Sequence, residues 1–505
     1  MTPRRQVAVL IAPILLAGCG VLTGAPVVPP TPPAPTSPTD PSLSSYYDQD
    51  LRWTNCGAAD CATLVAPRDY ARPMDGTIDL AITRVRATGE RIGTLFVNPG
   101  GPGGSAVEYA KAADAIVGAP VREHFDIVGV DPRGVGFSDP IECLTDAQLD
   151  ELGALDGTPD SRAEESQLIE LSRLPGQGCA ARSPDLLPHV GTVDSARDLD
   201  IARNAVDDDV LNYLGLSYGT MLGATYAELF PERVGRMVLD GALPAELDTV
   251  AITSGQAIGF EGAVRDFAAD CLTHDDCPLT GDVDTATGQL RDWFTSLDTS
   301  PIPAGERVLN EALASYAVLS NLYAPSYDFP RLRSALIAAM ERRDGTELMA
   351  LLDSRISRDE RGRYTDNSTE AFYAVSCLDR PFLGTVDEVR ALEREWREVA
   401  PTFGPSLAWS LLVCQDWPAT ADRITQTRAA GSNPILVVST TGDPATPYAW
   451  GQQLADSLDN GHLLTYDGIG HTAYKGNSGC IDGAVDDFLV SGTLPPEGTS
   501  CLPGS

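Results

Sequence analysis

The stretch NYLGLSYGTMLGATYAELFPERV, residues 212–234, places one serine between two glycines, as Gly215-Leu-Ser217-Tyr-Gly219. An apolar, strand-like run precedes Ser217, and apolar side chains recur at helical spacing after it. A strand, a turn of one residue and a helix form the context that exposes a serine as a nucleophile. The glycines fit this reading because such a turn leaves no room for a Cβ atom. With 47 glycines in 505 residues the motif alone is weak, and a buried turn serine is the alternative.

A serine hydroxyl needs a base, and the chain has five histidines. His471 follows a strand-like segment, within the Gly-rich stretch GIGHT. Asp443 follows the apolar run PILVVSTTG and precedes His471, so the chain order is serine, acid, histidine. His462, which starts a strand-like segment, and Asp467, in the same loop as His471, are the alternatives. We predict Ser217, Asp443 and His471 as a catalytic triad.

The tetrahedral intermediate of acyl transfer needs N–H donors for its oxyanion. The stretch NPGGPGGSA, residues 98–106, follows the strand-like GTLFV and is rich enough in glycine to turn its N–H groups inward. We predict the N–H groups of Gly101 and Tyr218 as the two donors. A phosphate-binding loop is not favoured, because the stretch lacks the G-K-[ST] ending.

No metal or cofactor is predicted. The chain has no C-x-x-C pair, and His274, in CLTHDDC, is the only histidine near two cysteines. The formal charge is −35, which argues against nucleic acid or an anionic membrane surface as a partner. We interpret this charge mainly as a source of solubility outside the cell; the alternative is a negative field that attracts the cationic N termini of peptides.

The composition divides the chain into five parts. Residues 1–19 resemble a lipoprotein signal peptide, with two arginines, a short apolar run and Leu-Ala-Gly before Cys19, the predicted lipidation site. Residues 20–45 are rich in Pro, Thr and Ser and predict a disordered tether. Residues 46–246 and 404–505 alternate strand-like and helical segments, which predicts a largely parallel sheet. Residues 247–403 predict a mostly helical lid between the two core parts.

The cysteines support export. Besides Cys19 there are ten, an even number that indicates disulfides in an exported chain. Their order suggests five sequential local pairs, although connectivity is not provable from sequence; the ten are Cys56, Cys61, Cys143, Cys179, Cys271, Cys277, Cys377, Cys414, Cys480 and Cys501. We therefore expect an envelope protein whose only membrane attachment is its N-terminal lipid.

Taken together, these motifs resemble the tripeptidyl-aminopeptidase-like branch of the proline-iminopeptidase family of α/β-hydrolases, in its secreted or envelope-anchored actinobacterial form. The matching stretches are NPGGPGGS at 98–105, DPRGVGFSDP at 131–140, GLSYGT at 215–220, VLDGAL at 238–243, GDPATP at 442–447 and GIGHT at 468–472. The resemblance implies the same triad, a helical lid and cleavage of peptides from a free N terminus, often three residues at a time. It also implies that some members hydrolyse short-chain esters.

Four further positions bear on the branch of the family and on the surroundings of the site. Proline iminopeptidases carry a histidine where this chain has Pro99, which favours the tripeptidyl branch. They hold the substrate's ammonium group with lid carboxylates. Asp379 is our candidate for that role, and a surface or salt-bridged aspartate is the alternative. We expect Thr446 to brace the loop of Asp443, and Arg133 to pair with a buried carboxylate near the site.

Three functions follow as hypotheses. The first is an exported exopeptidase that acts on oligopeptides. The second is a carboxylesterase or lipase with the same triad. The third is a non-catalytic envelope binding protein, against which the presence of Ser217, Asp443 and His471 argues.

Overall fold

The computed structural model of the chain describes residues 41–476 and 478–505. The predicted signal peptide, the lipidation site Cys19 and residues 20–40 of the predicted tether lie outside the described residues. The end of the predicted tether belongs to the folded part, since Leu43 is buried and a short helix begins at Ser44.

A mixed sheet forms the centre of the described part. Its strands and those of a small hairpin are β1 (Thr54–Asn55), β2 (Asp60–Pro67), β3 (Thr77–Val85), β4 (Gly93–Asn98), β5 (Phe125–Val130), β6 (Leu211–Leu216), β7 (Val234–Asp240), β8 (Ile302–Ala304), β9 (Arg307–Leu309), β10 (Ile435–Gly442), β11 (Gly461–Ile469) and β12 (Ser500–Cys501). The sheet order is β1-β2-β3-β5-β4-β6-β7-β10-β11-β12. Strands β1, β2, β3 and β5 pair antiparallel, and from β5 to β12 all pairs are parallel.

The central strands are apolar on both faces. In β6, Tyr213 lies in one hydrophobic cluster and Leu214 in another, and Val437 and Val438 of β10 divide in the same way. Successive side chains of a strand point to opposite faces, so a strand covered by helices on both sides reads as a continuous apolar run. This confirms the parallel core predicted from those runs.

Helices cover the sheet and fill the connection between β7 and β10. In chain order they are α1 (Ser44–Tyr47), α2 (Ala106–Lys111), α3 (Ala113–Ile116), α4 (Ala119–His124), α5 (Asp146–Gly153), α6 (Arg162–Leu171), α7 (Leu174–Arg182), α8 (Thr192–Ala205), α9 (Tyr218–Leu229), α10 (Thr249–Cys271), α11 (Val283–Thr299), α12 (Glu311–Leu319), α13 (Pro325–Arg342), α14 (Thr346–Arg355), α15 (Ser368–Asp379), α16 (Val386–Val399), α17 (Gly404–Ser410), α18 (Tyr448–Ser457) and α19 (Gly479–Ser491). We call α10–α17 with the hairpin β8–β9 the helical insert.

The helical insert has a hydrophobic core of its own. Phe267, Leu290 and Leu336, from three different helices, belong to one buried cluster. The hairpin β8–β9 was not expected from the sequence, because its two strands have three residues each and lack a long alternating pattern. The sheet resumes at Ile435, and the division at residues 403 and 404 stays a prediction.

Disulfides and a buried ion pair cross-link the chain. Disulfides join Cys56–Cys61, Cys143–Cys179, Cys271–Cys277, Cys377–Cys414 and Cys480–Cys501. Arg133 pairs with Asp198 on α8 through two hydrogen bonds of 2.7 and 2.6 Å, and neither side chain is more than 2% exposed. Within the described residues, no helix is both long and apolar enough to cross a membrane.

Candidate active site

Ser217 occupies a one-residue turn between β6 and α9. Its backbone has φ 56° and ψ −124°, a conformation that non-glycine residues adopt only under local strain. The Ser217 N–H donates to the Asp240 carbonyl, with 2.9 Å between the heavy atoms. A Cβ atom at Gly215 would overlap the Gly219 carbonyl, so the strand and the helix approach this closely only because residue 215 is glycine.

Two loops at the carboxyl ends of neighbouring parallel strands bring Asp443 and His471 together. Asp443 follows β10, His471 follows β11, and His471 Nδ1 lies 2.9 and 3.0 Å from the two Asp443 carboxylate oxygens. Burial alone would lower the pKa of His471, but the adjacent Asp443 carboxylate outweighs burial and raises the pKa above its usual value. An imidazole in this state can accept a proton and keep it while a bond is formed or broken.

Further hydrogen bonds fix the orientation of Asp443. One carboxylate oxygen accepts the N–H groups of Ala445 and Thr446, each at 2.9 Å, and the other accepts the Thr446 hydroxyl at 3.0 Å. The Thr472 N–H adds a contact of 3.2 Å from the loop of His471. The structure therefore places the Thr446 hydroxyl where the sequence led us to expect a brace for this loop.

The turn of Ser217 and the imidazole of His471 lie on the same edge of the sheet. Asp240, whose carbonyl holds the Ser217 N–H, is followed by Gly241, and an ideal Cβ built on Gly241 would lie 3.3 Å from His471 Cε1. Among the described residues, the Ser217 hydroxyl has no hydrogen bond to His471. Catalytic hydrogen bonds commonly tighten only when substrate is bound, so the placement is compatible with the predicted role.

The glycine-rich loop after β4 packs directly on the nucleophile turn. Gly100 has φ +93°, and a Cβ atom there would overlap the Leu216 carbonyl and lie 2.9 Å from Ser217 Cβ. The Gly100 N–H already donates to the Asn98 side chain. Within the described part of the chain, the N–H groups of Gly101 and Tyr218 have no acceptor, so both are free to donate to an oxyanion.

The alternatives to the triad lie elsewhere. His462 is near the start of β11 and pairs in register with Leu436, at the end of the strand opposite to His471. Asp467 is exposed and accepts a hydrogen bond from the Thr441 hydroxyl at 3.1 Å. Neither side chain joins the pair formed by Asp443 and His471.

Asp379 lies in a setting that does not favour the predicted ammonium-binding role. It is 4% exposed, and its two oxygens accept the N–H and the hydroxyl of Thr192 at 3.0 and 2.5 Å. Beside it is a cavity of about 20 Å³ that Arg380 and Arg423 also line. A space of about one water volume with two guanidinium groups is a poor site for an ammonium group. Because Thr192 also contacts the Tyr218 hydroxyl at 2.7 Å, the geometry favours a supporting role for Asp379 beneath the turn.

Asp240 is a site residue that the sequence reasoning missed. It ends β7 with no exposure, and its carboxylate accepts the N–H groups of Ala473 and Tyr474, two and three residues after His471, at 2.9 and 2.8 Å. Burial raises the pKa of Asp240 to about 7. The sequence feature that could have predicted Asp240 is VLDGAL, in which an aspartate lies at the end of an apolar strand next to the predicted active site.

Tyr323 of the helical insert was also missed. Its carbonyl accepts the His471 N–H at 2.8 Å, and its ring stands edge-on to the imidazole with 5.3 Å between ring centroids. No sequence motif in the segment between α12 and α13 predicts this contact. It arises only because the helical insert folds back over the sheet edge.

Several known proteins are similar to nearly the whole chain. Serine protease Hip1 of Mycobacterium tuberculosis is 39% identical over 477 residues, which cover 90% of this chain and 91% of that protein. Carboxylesterase B of the same species is 37% identical over 496 residues, covering 96% and 93%. Tripeptidyl aminopeptidase of Streptomyces lividans is 31% identical over 471 residues, covering 89% and 86%. A family model described as "TAP-like protein" matches residues 400–501.

The sheet topology and these relatives define the class of protein: a serine hydrolase of the α/β-hydrolase fold. The identity to Hip1 extends over both core parts and the helical insert, so the likeness is not confined to one motif. The chain belongs to the tripeptidyl-aminopeptidase-like family of actinobacterial serine proteases, which confirms the family predicted from the motifs.

Proposed function

We propose that the protein is an exported serine exopeptidase that releases short peptides, tripeptides in particular, from the free N termini of oligopeptides. The observation that carries this proposal is the Asp443–His471 pair, which lies on the same sheet edge as the strained turn of Ser217. Relatives named serine protease and tripeptidyl aminopeptidase support peptides as substrates.

The proposed reaction is acyl transfer through an acyl-enzyme. His471 takes the proton of the Ser217 hydroxyl as the oxygen attacks the substrate carbonyl, and then gives that proton to the leaving amine. Asp443 holds His471 in the tautomer that has its proton on Nδ1. The Gly101 and Tyr218 N–H groups stabilise the oxyanion, and water then releases the acyl group from Ser217.

Contacts between the helical insert and the sheet edge support short substrates. The turn before α13 touches the His471 loop, where a Cβ atom at Gly470 would lie 2.9 Å from Pro325 Cδ. On the other side, the start of α15 lies against the glycine-rich loop of residues 98–106, which we call the oxyanion loop, with Phe372 N 3.2 Å from a Cβ position at Gly103. A site bounded on two sides favours a chain end over the middle of a folded protein.

Export and lipid anchoring belong to the same proposal. The five disulfides are typical of a chain that folds in an oxidising compartment. The Leu-Ala-Gly-Cys sequence that ends at Cys19 supports a lipidated N terminus. Mass spectrometry of the mature N terminus tests this part, and we expect diacylglycerol on Cys19; an unmodified N terminus at another residue would contradict it.

The decisive experiment compares a peptide library with free and with acetylated N termini. We expect products shortened by three residues from the free peptides and no cleavage of the acetylated ones. The Ser217→Ala variant is the control and should cleave neither. Equal cleavage of both libraries, or cleavage at internal bonds alone, would overturn the exopeptidase proposal.

Carboxylesterase activity is the second candidate, and the 37% identity to carboxylesterase B favours it. The same triad would attack a short acyl ester, and no free amine would be needed. Short-chain nitrophenyl esters hydrolysed at rates far above any peptide would support this candidate. Covalent labelling of Ser217 by a fluorophosphonate would exclude the third hypothesis, a non-catalytic binding protein.

A further inference from the structure

Helix α10 of the helical insert packs on the loop between β10 and α18, residues 443–447, which we call the acid loop. A Cβ atom at Gly259 of α10 would lie 2.3 Å from the Pro444 carbonyl oxygen and 3.1 Å from the Pro444 Cα. Three residues earlier on the same helix, the Gln256 side chain donates to the Ala445 carbonyl at 3.1 Å. The helix therefore approaches the backbone of the acid loop at a distance that only glycine permits.

The acid loop is also embedded in the hydrophobic core of the helical insert. Ala445 is 4% exposed and belongs to the same buried cluster as Phe260 and Phe267 of α10. The Ala445 N–H donates to the Asp443 carboxylate at 2.9 Å. The residue that anchors the loop in the insert is thus one of those that orient the carboxylate, so a displacement at this contact would displace Asp443 as well.

The same helix reaches the imidazole through a second contact. The ring of Phe260 packs against the ring of Tyr323, with 5.5 Å between their centroids. Tyr323 in turn accepts the His471 N–H with its carbonyl and stands edge-on to the imidazole with its ring. Helix α10 therefore supports both members of the pair, the acid loop directly and His471 through Tyr323.

We propose that α10 positions the Asp443–His471 pair for proton transfer. Gly259 and Gln256 are the positioning residues at the acid loop. This inference rests on the proposed acyl transfer at Ser217, in which the imidazole must be held within hydrogen-bond reach of the groups that exchange the proton. The helical insert is then part of the apparatus that aligns the acid and the base, and not only a cover that limits the size of the substrate.

The test compares Gly259→Ala with Gly262→Ala in the full chain. Gly262 is the matched control, because it is an exposed glycine of the same helix and a Cβ atom there would have no neighbour within 4 Å. A methyl group at residue 259 must push the acid loop aside by about 1 Å to reach an ordinary contact distance. We expect Gly259→Ala to lower kcat for nitrophenyl acetate and the rate of fluorophosphonate labelling of Ser217 about 10- to 100-fold, with KM nearly unchanged. Gly262→Ala should change neither rate.

The pH profile separates positioning from a general loss of structure. Burial lowers the pKa of His471, but the Asp443 carboxylate outweighs burial and raises this pKa. Asp240, the other carboxylate that acts on His471, lies at the end of β7 and not in the acid loop. The acidic limb of the kcat/KM profile should therefore move to lower pH in Gly259→Ala. A loss of folded protein would lower the plateau and leave that limb in place.

A second variant, Gln256→Met, keeps the volume of the side chain and removes the donor to the Ala445 carbonyl. It should lower kcat about 3- to 10-fold, and it decides the question alone if Gly259→Ala does not fold. Folded variants with unchanged kcat, labelling rate and acidic limb would overturn the inference. So would a raised KM for peptides as the only change, because α10 would then merely bound the substrate.

Failure of the proposed function has a different signature. A wild-type protein that is not labelled at Ser217 and does not hydrolyse nitrophenyl acetate would overturn the proposed acyl transfer, and this inference with it. A wild-type protein that is labelled, together with a folded Gly259→Ala variant that is labelled equally fast, would overturn the role of α10 alone.

Discussion

Replacement of Arg133 by methionine removes a buried cation from a site where every one of its N–H groups is used. Besides the two bonds to Asp198, the guanidinium donates to the carbonyls of Arg68, His189 and Pro67 at 3.0 to 3.1 Å. Arg133 has no exposure, and Asp198 is 2% exposed. The variant leaves a carboxylate and three carbonyls without this donor in a dry interior.

The expected cost follows from these contacts. Breaking a buried ion pair by removing one partner costs about 3 to 5 kcal/mol, most of it from the charge left behind. The Tyr70 hydroxyl still donates to Asp198 at 2.8 Å, which places the expected loss in the free energy of unfolding near the lower bound, about 3 kcal/mol. The loss should be smaller at pH 5 than at pH 8. The unpaired Asp198 has a raised pKa in the folded variant, so the variant loses stability as pH rises above about 4.

Urea unfolding of the oxidised protein, followed by circular dichroism at both pH values, measures this loss. Arg72→Met is the matched control, because Arg72 makes the same kind of ion pair with Asp69 at 2.9 Å but its side chain is 67% exposed. That control should change the free energy of unfolding by no more than about 0.5 kcal/mol. The double variant Arg133→Met with Asp198→Leu should recover part of the loss. A loss below about 1 kcal/mol for Arg133→Met would refute the reasoning.

Three further predictions concern the site. Gly100→Ala should lower kcat about 100-fold with the fold retained in circular dichroism, because the added Cβ pushes the oxyanion loop away from the Leu216 carbonyl. Because the pKa of His471 is raised, kcat/KM should fall as the ring protonates on acidification, and Asp443→Asn should move that fall to lower pH. The pKa of Asp240 is raised to about 7 in the folded protein, against about 3.9 in the unfolded chain. The free energy of unfolding should therefore decrease as the pH rises from about 4 to 7, and this decrease should be smaller in the Asp240→Asn variant.

The turn of Ser217 could be predicted because its causes are local. An apolar strand, glycines at 215 and 219 and an apolar helix pattern all lie within one short stretch, and each constrains the backbone directly. Asp443 and His471 were predictable for a related reason. Both follow apolar runs that form adjacent parallel strands, and the carboxyl ends of such strands meet at one edge.

The surroundings of Asp379 could not be inferred from the sequence. A carboxylate in the expected helical insert was a plausible ammonium ligand, but its surroundings depend on which groups the fold brings beside it. The fold places Thr192 on both of its oxygens and two arginines beside the same small cavity. No sequence feature within a few residues of Asp379 predicts these neighbouring side chains.

The amino-acid sequence by itself determined the turn of Ser217 after its strand, the positions of Asp443 and His471 after two apolar strands, the glycine-rich loop after β4 and the set of cysteines. These features depend on periodicity and backbone freedom, which act between residues close in sequence. The tertiary structure alone decided that Asp240 holds the loop of His471 and that Tyr323 covers its ring. Such contacts join segments separated by whole helices and strands, and their geometry exists only once the helical insert has packed on the sheet edge.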